Sequence, residues 1–107
     1  MKIFSKELSE LIQKGEVILV DVRFKEEKQS WFMPFAMDIN LGDLPDRHEE
    51  LDREKLIVTA CAVKDRSIIA MLYLRSLGYN VRYLDDGLVG FADFLKGGQA
   101  RKFKEGK

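Results

Sequence analysis

The sequence predicts an α/β fold with a mainly parallel sheet, and two patterns indicate it. Short β-prone runs alternate along the chain with segments whose apolar residues recur at helical spacing. The first run, residues 17–20, reads Val-Ile-Leu-Val and is apolar on both faces, as in a buried parallel strand. The chain has 107 residues, of which 46% are hydrophobic, so it has room for one domain with a core and no more.

The N-terminal part is predicted to hold a helix, a strand and a second, shorter helix. Ser5 is the expected N-cap of the first helix, and Gly15 is expected to end it. The strand over residues 17–20 ends at Asp21. Residues 25–29 are strongly polar, which favours a short exposed helix.

The middle of the chain is expected to add a third strand and a surface helix. The strand falls within residues 36–39, and the helix spans the charged residues 43–52, where two leucines lie seven apart. An unusually apolar cluster precedes the third strand. Most such side chains are core residues, while an exposed patch or a flank of a functional site is the alternative. The cluster consists of Trp31, Phe32, Met33 and Phe35.

The C-terminal half gives the clearest strand–turn–helix unit. Residues 55–60 are expected to form a buried strand, residues 61–65 a short turn, and residues 66–77 a helix so rich in apolar positions that most of its surface should be covered. A further strand over 81–84 and a turn over 85–87 follow. The last helix carries on one face Leu88, Phe91 and Leu95.

Composition excludes several classes of function. The 18 basic residues balance the 18 acidic ones, so net charge gives no overall attraction to nucleic acid or to an anionic membrane. The single Cys and single His cannot form an intrachain disulfide, a cysteine-rich zinc site or a multi-histidine metal centre. No signal peptide or membrane span is recognisable, because the longest uncharged apolar stretch, residues 56–63, is far shorter than the roughly 20 residues a span needs. We therefore expect a cytoplasmic protein that needs no metal.

Residues 1–96 are expected to form the domain, and residues 97–107 a basic and flexible tail. The tail carries four basic side chains against one acidic one, so the remainder of the chain is slightly acidic. A solvated terminus is the ordinary interpretation of such a segment. A docking segment for an acidic partner is the alternative.

Cys61 is the candidate nucleophile because of where it falls. It directly follows a buried strand and shortly precedes a helix, and ligands of open α/β sheets bind at the carboxyl ends of strands. The helix N-terminus and the cation of Arg66 would both stabilise the thiolate, which is the reactive form. The same amides are suited to an anion or a sulfur adduct. The alternative is a buried cysteine that serves as a small hydrophobe.

Several segments together resemble a single-domain rhodanese, a family of sulfurtransferases. Residues 61–67, Cys-Ala-Val-Lys-Asp-Arg-Ser, are similar to that family's active-site loop of a Cys, four residues, an Arg and a Ser or Thr. Residues 21–23, Asp-Val-Arg, and residues 33–39 match two further segments in order. The segments at 41–44, 78–81 and 86–91 also match, so the resemblance covers residue 3 to about residue 96.

The resemblance implies a rhodanese-like three-layer fold, with about five strands and helices on both faces of the sheet. It also implies sulfur transfer through a Cys61 persulfide, with no organic cofactor. The donor would be a small sulfur-containing anion such as thiosulfate or polysulfide, and the acceptor a thiol, cyanide or a carrier protein. The substrate-binding residues would be those of the loop: Ala62, Val63, Lys64, Asp65, Arg66 and Ser67.

Departures from the family pattern keep two alternatives open. The loop has no glycine, since Lys64 stands at the usual glycine position, and Phe32 and Phe35 replace the usual His and Gly. A loop of converging amides can need a left-handed residue, which glycine supplies at no steric cost. The first alternative is a weakly active or inactive rhodanese-like module that binds a protein. The second is a phosphatase or arsenate reductase, although a six-residue loop suits sulfur better than phosphate.

Three polar residues outside the loop receive supporting or structural interpretations. Asp21 and Arg23 lie at a strand end near the loop, and we expect them to orient it by a salt bridge or hydrogen bonds rather than to react. His48 lies within a charged run that reads as a solvated helix face. We therefore do not pair His48 with Cys61 as a base.

Overall fold

The fold is built around one parallel sheet of five strands. The computed structural model describes residues 1–99. All four strand pairings are parallel, in the order β1-β5-β4-β2-β3. The strands are β1 (Lys2–Ile3), β2 (Val17–Asp21), β3 (Ala36–Asp38), β4 (Leu56–Ala60) and β5 (Val81–Leu84). The α/β class and the parallel sheet predicted from the sequence are thereby confirmed.

Helices cover both faces of the sheet. They are α1 (Ser5–Lys14), α2 (Lys25–Ser30), α3 (Leu44–Arg47), α4 (Asp65–Ser76) and α5 (Gly87–Asp93). One apolar cluster joins α4 and α3 to the sheet, and a second joins α1 and α5 to it. Side chains of β2 and β4 alternate between these two clusters, as expected of strands buried on both faces.

The strands β2 and β4 at the centre of the sheet position the site. Leu19 pairs with Val58 and Asp21 with Ala60, and the Val22 N–H extends the ladder by donating to the Ala60 carbonyl oxygen at 2.9 Å. The carboxyl ends of the two strands therefore lie side by side. Cys61 follows one end and Arg23 the other.

The N-terminus differs from the prediction in two ways. Residues 2–3 form the edge strand β1, which is too short to show an alternating pattern in the sequence. Ser5 is the first residue of α1 rather than its N-cap, which is Phe4 and gives no side-chain cap. The Ser5 N–H instead donates to a carboxylate oxygen of Asp86 at 2.7 Å, a residue 81 positions along the chain.

The helix predicted over residues 43–52 is wrong. The segment is divided into a 3-10 turn over Leu41–Asp43, the one-turn helix α3, and another 3-10 turn over His48–Glu50. Pro45 lies in the first turn of α3, where it cannot donate a backbone hydrogen bond. Leu44 and Leu51 are both buried, so the two leucines anchor an irregular segment instead of one continuous helix.

The helix α4 is also less covered than predicted. Met71 and Leu74 are buried, whereas Ile69 is 55% exposed and Leu72 is 54% exposed. The side of α4 that carries these two residues is therefore an apolar outer face.

The last helix ends earlier than its apolar pattern suggests. After α5 the backbone continues as a π-helical turn over Phe94–Gln99, which includes the first three residues of the predicted tail. The remaining tail, residues 100–107, lies outside the described residues. Within residues 1–99, no helix has the length and apolar character that crossing a bilayer requires.

Candidate active site

Cys61 lies in the loop between β4 and α4, where the sequence places it. Residues 61–64 connect the two elements, and α4 begins at Asp65. Cys61 is 0% exposed and packs with the cluster on the α4 side of the sheet. The Sγ atom is therefore closed to a reactant in this conformation.

The loop closes without a left-handed residue. Within the described chain, no residue other than glycine has a positive φ. Lys64, at the family's usual glycine position, has φ −141° and ψ −16° and is the N-cap of α4. The missing glycine therefore imposes no backbone strain on this loop.

Six consecutive backbone N–H groups of the loop and the first turn of α4 are left without acceptors. The N–H groups of residues 62–67 donate to no atom of residues 1–99, and the first bond of the helix runs from the Ile68 N–H to the Lys64 carbonyl oxygen at 3.1 Å. Unpaired donors at the start of a twelve-residue helix favour a negative charge beside them. This arrangement can stabilise a thiolate or a persulfide on Cys61.

A second helix start holds the other side of the loop. The Leu88 N–H donates to the Cys61 carbonyl oxygen at 2.7 Å, and the Val89 N–H donates to the Ala62 carbonyl oxygen at 3.3 Å. Gly87 makes this approach possible. It has φ +71°, and a Cβ atom there would lie 2.4 Å from the Ala62 carbonyl oxygen. The sequence analysis assigned Gly87 to a turn and missed this contact. The only local signal in the sequence is the Asp86-Gly87 pair.

The guanidinium of Arg66 is bound by a carboxylate from α2. It makes two hydrogen bonds with Glu27, one of them 2.8 Å long between Nη2 and Oε2, and it lies 4.4 Å from the centre of the Phe24 ring. The bond to Arg66 lowers the pKa of Glu27 to about 2, and the same bond raises the pKa of Arg66. The cation expected to attract an anionic donor is therefore already paired. Sequence reasoning missed Glu27 because it lies 39 residues away.

Asp21 and Arg23 form a buried ion pair at the end of β2. Two guanidinium nitrogens of Arg23 bond to the Asp21 carboxylate at 2.8–3.1 Å, and Nη2 also donates to the Trp31 carbonyl oxygen at 3.2 Å. The guanidinium carbon lies 4.2 Å from the centre of the Trp31 ring. Neither side chain bonds to residues 61–67 within the described chain. The pair binds the segment after α2 through Trp31, so the expectation that it orients the loop by direct bonds is wrong.

The remaining loop side chains are held by local contacts. The Ser67 hydroxyl is buried and donates to the Lys64 carbonyl oxygen at 2.6 Å, while Thr59 donates to the Ser67 carbonyl oxygen at 2.7 Å. Lys64 lies 3.7 Å from a carboxylate oxygen of Asp85. Asp65 forms no ion pair with another residue of the described chain. The two cations of the loop, Lys64 and Arg66, each lie beside an acid, and Asp65 adds one further negative charge.

The aromatic cluster before β3 divides between core and surface. Met33 is buried and Trp31 is half-buried, but Phe32 is 60% exposed and Phe35 is 57% exposed. The prediction that these residues are mostly core is therefore wrong for the two phenylalanines. The segment has no regular structure until β3 begins, so its side chains do not alternate into the core.

His48 is not part of the site. Its Nδ1 atom lies 3.0 Å from the Tyr79 hydroxyl, which itself donates to the His48 carbonyl oxygen at 2.7 Å. These contacts bind the segment after α3 to the residues that follow α4. His48 therefore contacts Tyr79 and not Cys61, and it lies half-buried in a 3-10 turn instead of on the solvated helix face expected from the sequence.

Comparison with known proteins identifies one domain family. The family model of the Rhodanese-like domain matches residues 4–94. YtwF of Bacillus subtilis is 33% identical over 76 residues, which are 71% of this chain and 74% of that protein. A sulfurtransferase of Allochromatium vinosum is 31% identical over 93 residues, or 85% of this chain and 87% of the relative.

A solved structure agrees with the sequence matches. The reduced Bacillus anthracis CoADR-RHD superposes with a TM-score of 0.80 at 27% identity and covers 90% of this chain. This chain corresponds to only 17% of that longer protein, so the similarity concerns one part of it.

Proposed function

Because the chain belongs to the Rhodanese-like domain family, we propose that it is a sulfurtransferase that carries sulfur on Cys61. The donor is thiosulfate, a polysulfide or a persulfide, and the acceptor is a thiol, cyanide or a carrier protein. The observation that carries the proposal is the position of the only cysteine, directly before six backbone N–H groups that have no acceptor within residues 1–99.

The proposed reaction has two steps. The Cys61 thiolate attacks the outer sulfur of thiosulfate, the S–S bond of the donor breaks, and sulfite leaves with its electron pair. Cys61 then bears a persulfide anion, which the unpaired N–H groups stabilise. In the second step an acceptor such as cyanide attacks the terminal sulfur and leaves as thiocyanate, which restores the thiolate.

Mass spectrometry of the intact protein tests this proposal. After incubation with thiosulfate or polysulfide, the wild-type protein should gain the mass of one sulfur atom, and cyanide should remove it. Cys61→Ser is the control, since it removes the only thiol with a nearly isosteric change, and it should fold but gain no mass. Wild-type protein that gains no sulfur from either donor would contradict the proposal.

One observation favours a second candidate function, an inactive module that binds a protein partner. Cys61 is 0% exposed, and the nearby cation of Arg66 is paired with Glu27. This candidate predicts that Cys61 of the native protein reacts with iodoacetamide no faster than global unfolding exposes it. Alkylation of the native protein faster than global unfolding would instead show that the loop opens, as sulfur transfer requires.

A further inference from the structure

The outward side of α4 carries a stripe of four exposed residues, here called the α4 stripe. They are Asp65, Ile69, Leu72 and Ser76. Their spacing of four, three and four residues puts them in one line along the helix. The opposite side of the helix packs on the sheet, so the stripe is a second and separate face of α4. An apolar centre with this spacing is the pattern by which one helix packs lengthwise against another.

The α4 stripe borders a further exposed apolar side chain. Phe24 is 51% exposed, and its ring centre lies 4.4 Å from the guanidinium carbon of Arg66, which precedes Ile69 by one helical turn. Ile69 and Leu72 are each more than half exposed and also lie one turn apart. Single exposed apolar residues are ordinary, whereas a group of them side by side indicates a contact surface. These side chains therefore indicate that another helix packs on α4.

The charges at the two ends of the α4 stripe indicate which helix this is. Asp65 lies at the N-terminal end and Arg75 beside the C-terminal end, and both side chains are exposed. Within residues 1–99, neither forms an ion pair, and the side chain of Arg75 makes one hydrogen bond, from Nη1 to the Val81 carbonyl oxygen at 3.0 Å. The stripe therefore has an unpaired acid at one end and an unpaired base at the other.

A second copy of the same helix complements these charges when the two helices run antiparallel. With Ile69 of one copy against Leu72 of the other, residue 65 is level with residue 76 of the second copy, and Arg75 lies one residue's rise away, about 1.5 Å along the axis. Each Asp65 then lies beside an Arg75, and the two-fold symmetry forms this pair twice. A parallel arrangement would set Asp65 against Asp65 and Arg75 against Arg75, so repulsion of like charges disfavours it.

We propose that α4 binds α4 of a second copy of this chain as an antiparallel, two-fold pair. Ile69 and Leu72 form the apolar centre, and Asp65 pairs with Arg75 of the second copy at each end. The stripe supplies far fewer than the roughly 20–30 residues per copy of a standard interface, so we expect a Kd on the order of 10–100 μM. The pairing also gives Asp65, next to the loop of residues 61–64, the cation that it lacks within residues 1–99 of its own chain. The inference does not depend on the proposed sulfur transfer.

Sedimentation equilibrium of the full chain measures the dimer, with a reducing agent present so that no disulfide through Cys61 contributes. The wild type should change from monomer to dimer between about 1 μM and 1 mM. Leu72→Asp should remain monomeric at about 1 mM, because each copy would bury a carboxylate against Ile69 of the other. Phe35→Asp is the matched control. Phe35 is 57% exposed but lies on the α1 and α5 side of the sheet, so this variant should dimerise like the wild type.

Exchanging the two charges tests the antiparallel orientation. Asp65→Arg and Arg75→Asp should each weaken dimerisation about tenfold, because each places like charges together at both ends of the pair. The double variant re-forms both ion pairs and should dimerise within about threefold of the wild type. Far-UV circular dichroism verifies that each variant is folded.

Three outcomes would overturn the inference, whether or not Cys61 takes up sulfur. The first is a wild type that stays monomeric at about 1 mM. The second is a dimer that survives Leu72→Asp or is lost in Phe35→Asp, since the interface would then lie elsewhere. The third is a double charge variant that dimerises no better than the single variants.

Discussion

Two helices, α4 and α5, begin beside the loop of residues 61–64, and the backbone N–H groups at their starts differ in whether they have acceptors. The start of α4 leaves the N–H groups of residues 62–67 without acceptors in the described chain, whereas the start of α5 donates to the carbonyl oxygens of Cys61 and Ala62. One helix thus leaves donors free for an anion, and the other fixes the backbone that carries those donors. Under the proposed function, the free donors and the anchor of the loop are thus supplied by two different helices.

The largest effect is expected from breaking the anchor. Gly87→Ala places a methyl group 2.4 Å from the Ala62 carbonyl oxygen at a residue with φ +71°. We expect a loss of about 2–5 kcal/mol in the free energy of unfolding, from overpacking and left-handed strain, together with loss of sulfur loading. Denaturant unfolding and mass spectrometry measure the two effects.

Gly15→Ala separates the two causes. Gly15 has nearly the same φ, +70°, but a Cβ atom there would meet nothing within 4 Å. Its substitution should cost only about 1 kcal/mol and leave sulfur loading intact. If the two variants were equally destabilised, the contact between Gly87 and the loop would carry no energy.

An intermediate effect is expected at the first turn of α4, where Glu27 holds Arg66. Glu27→Gln should cost about 0.5–1 kcal/mol at neutral pH, because the pair is partly exposed. The pKa of Glu27 lies at about 2, below its ordinary value of 4.5. The stabilisation by the charged form is thus fully present above pH 4.5 and decreases as the pH falls towards 2.

Unfolding measured as a function of pH checks this prediction. Glu27→Gln should lose less stability than the wild type between pH 4.5 and 2. Glu26→Gln is the matched control, since Glu26 is exposed and forms no ion pair within residues 1–99. A pH profile of Glu27→Gln identical to that of the wild type would contradict the role of the pair.

The smallest effect is expected at the junction of the loop and α4. Ser67→Ala removes the hydrogen bond to the Lys64 carbonyl oxygen, which keeps a second bond from the Ile68 N–H. The cost should be about 1 kcal/mol. Ser76→Ala removes the equivalent bond to Tyr73 at the exposed end of α4 and should cost less than about 0.5 kcal/mol. Thermal unfolding compares them, and a larger loss at Ser76 would contradict this ranking.

The parts of the molecule that depend on local pattern were predictable. The strand–loop–helix unit around Cys61 follows from an apolar run, a break and a helical repeat in adjacent segments. Contacts between distant segments were not predictable, because the periodicity of a segment shows which of its faces is apolar but not which other segment packs against that face. Glu27 reaches Arg66 across 39 residues, and Gly87 meets the loop only after β5 has paired with β4. For the same reason, the sequence did not show that the apolar side of α4 with Ile69 and Leu72 is exposed.

The contact at Gly87 has a consequence for how the loop tolerates change. The close contact that requires a glycine lies at Gly87, at the start of α5, and not in the loop itself. Residues 62–64 have no positive φ. Because none of these three residues has a positive φ, none of the positions requires glycine. The loop can therefore accept many side chains at low structural cost. Under the proposed function, a library randomised at residues 62–64, with Gly87 held constant, tests whether these side chains set the preference for a sulfur donor.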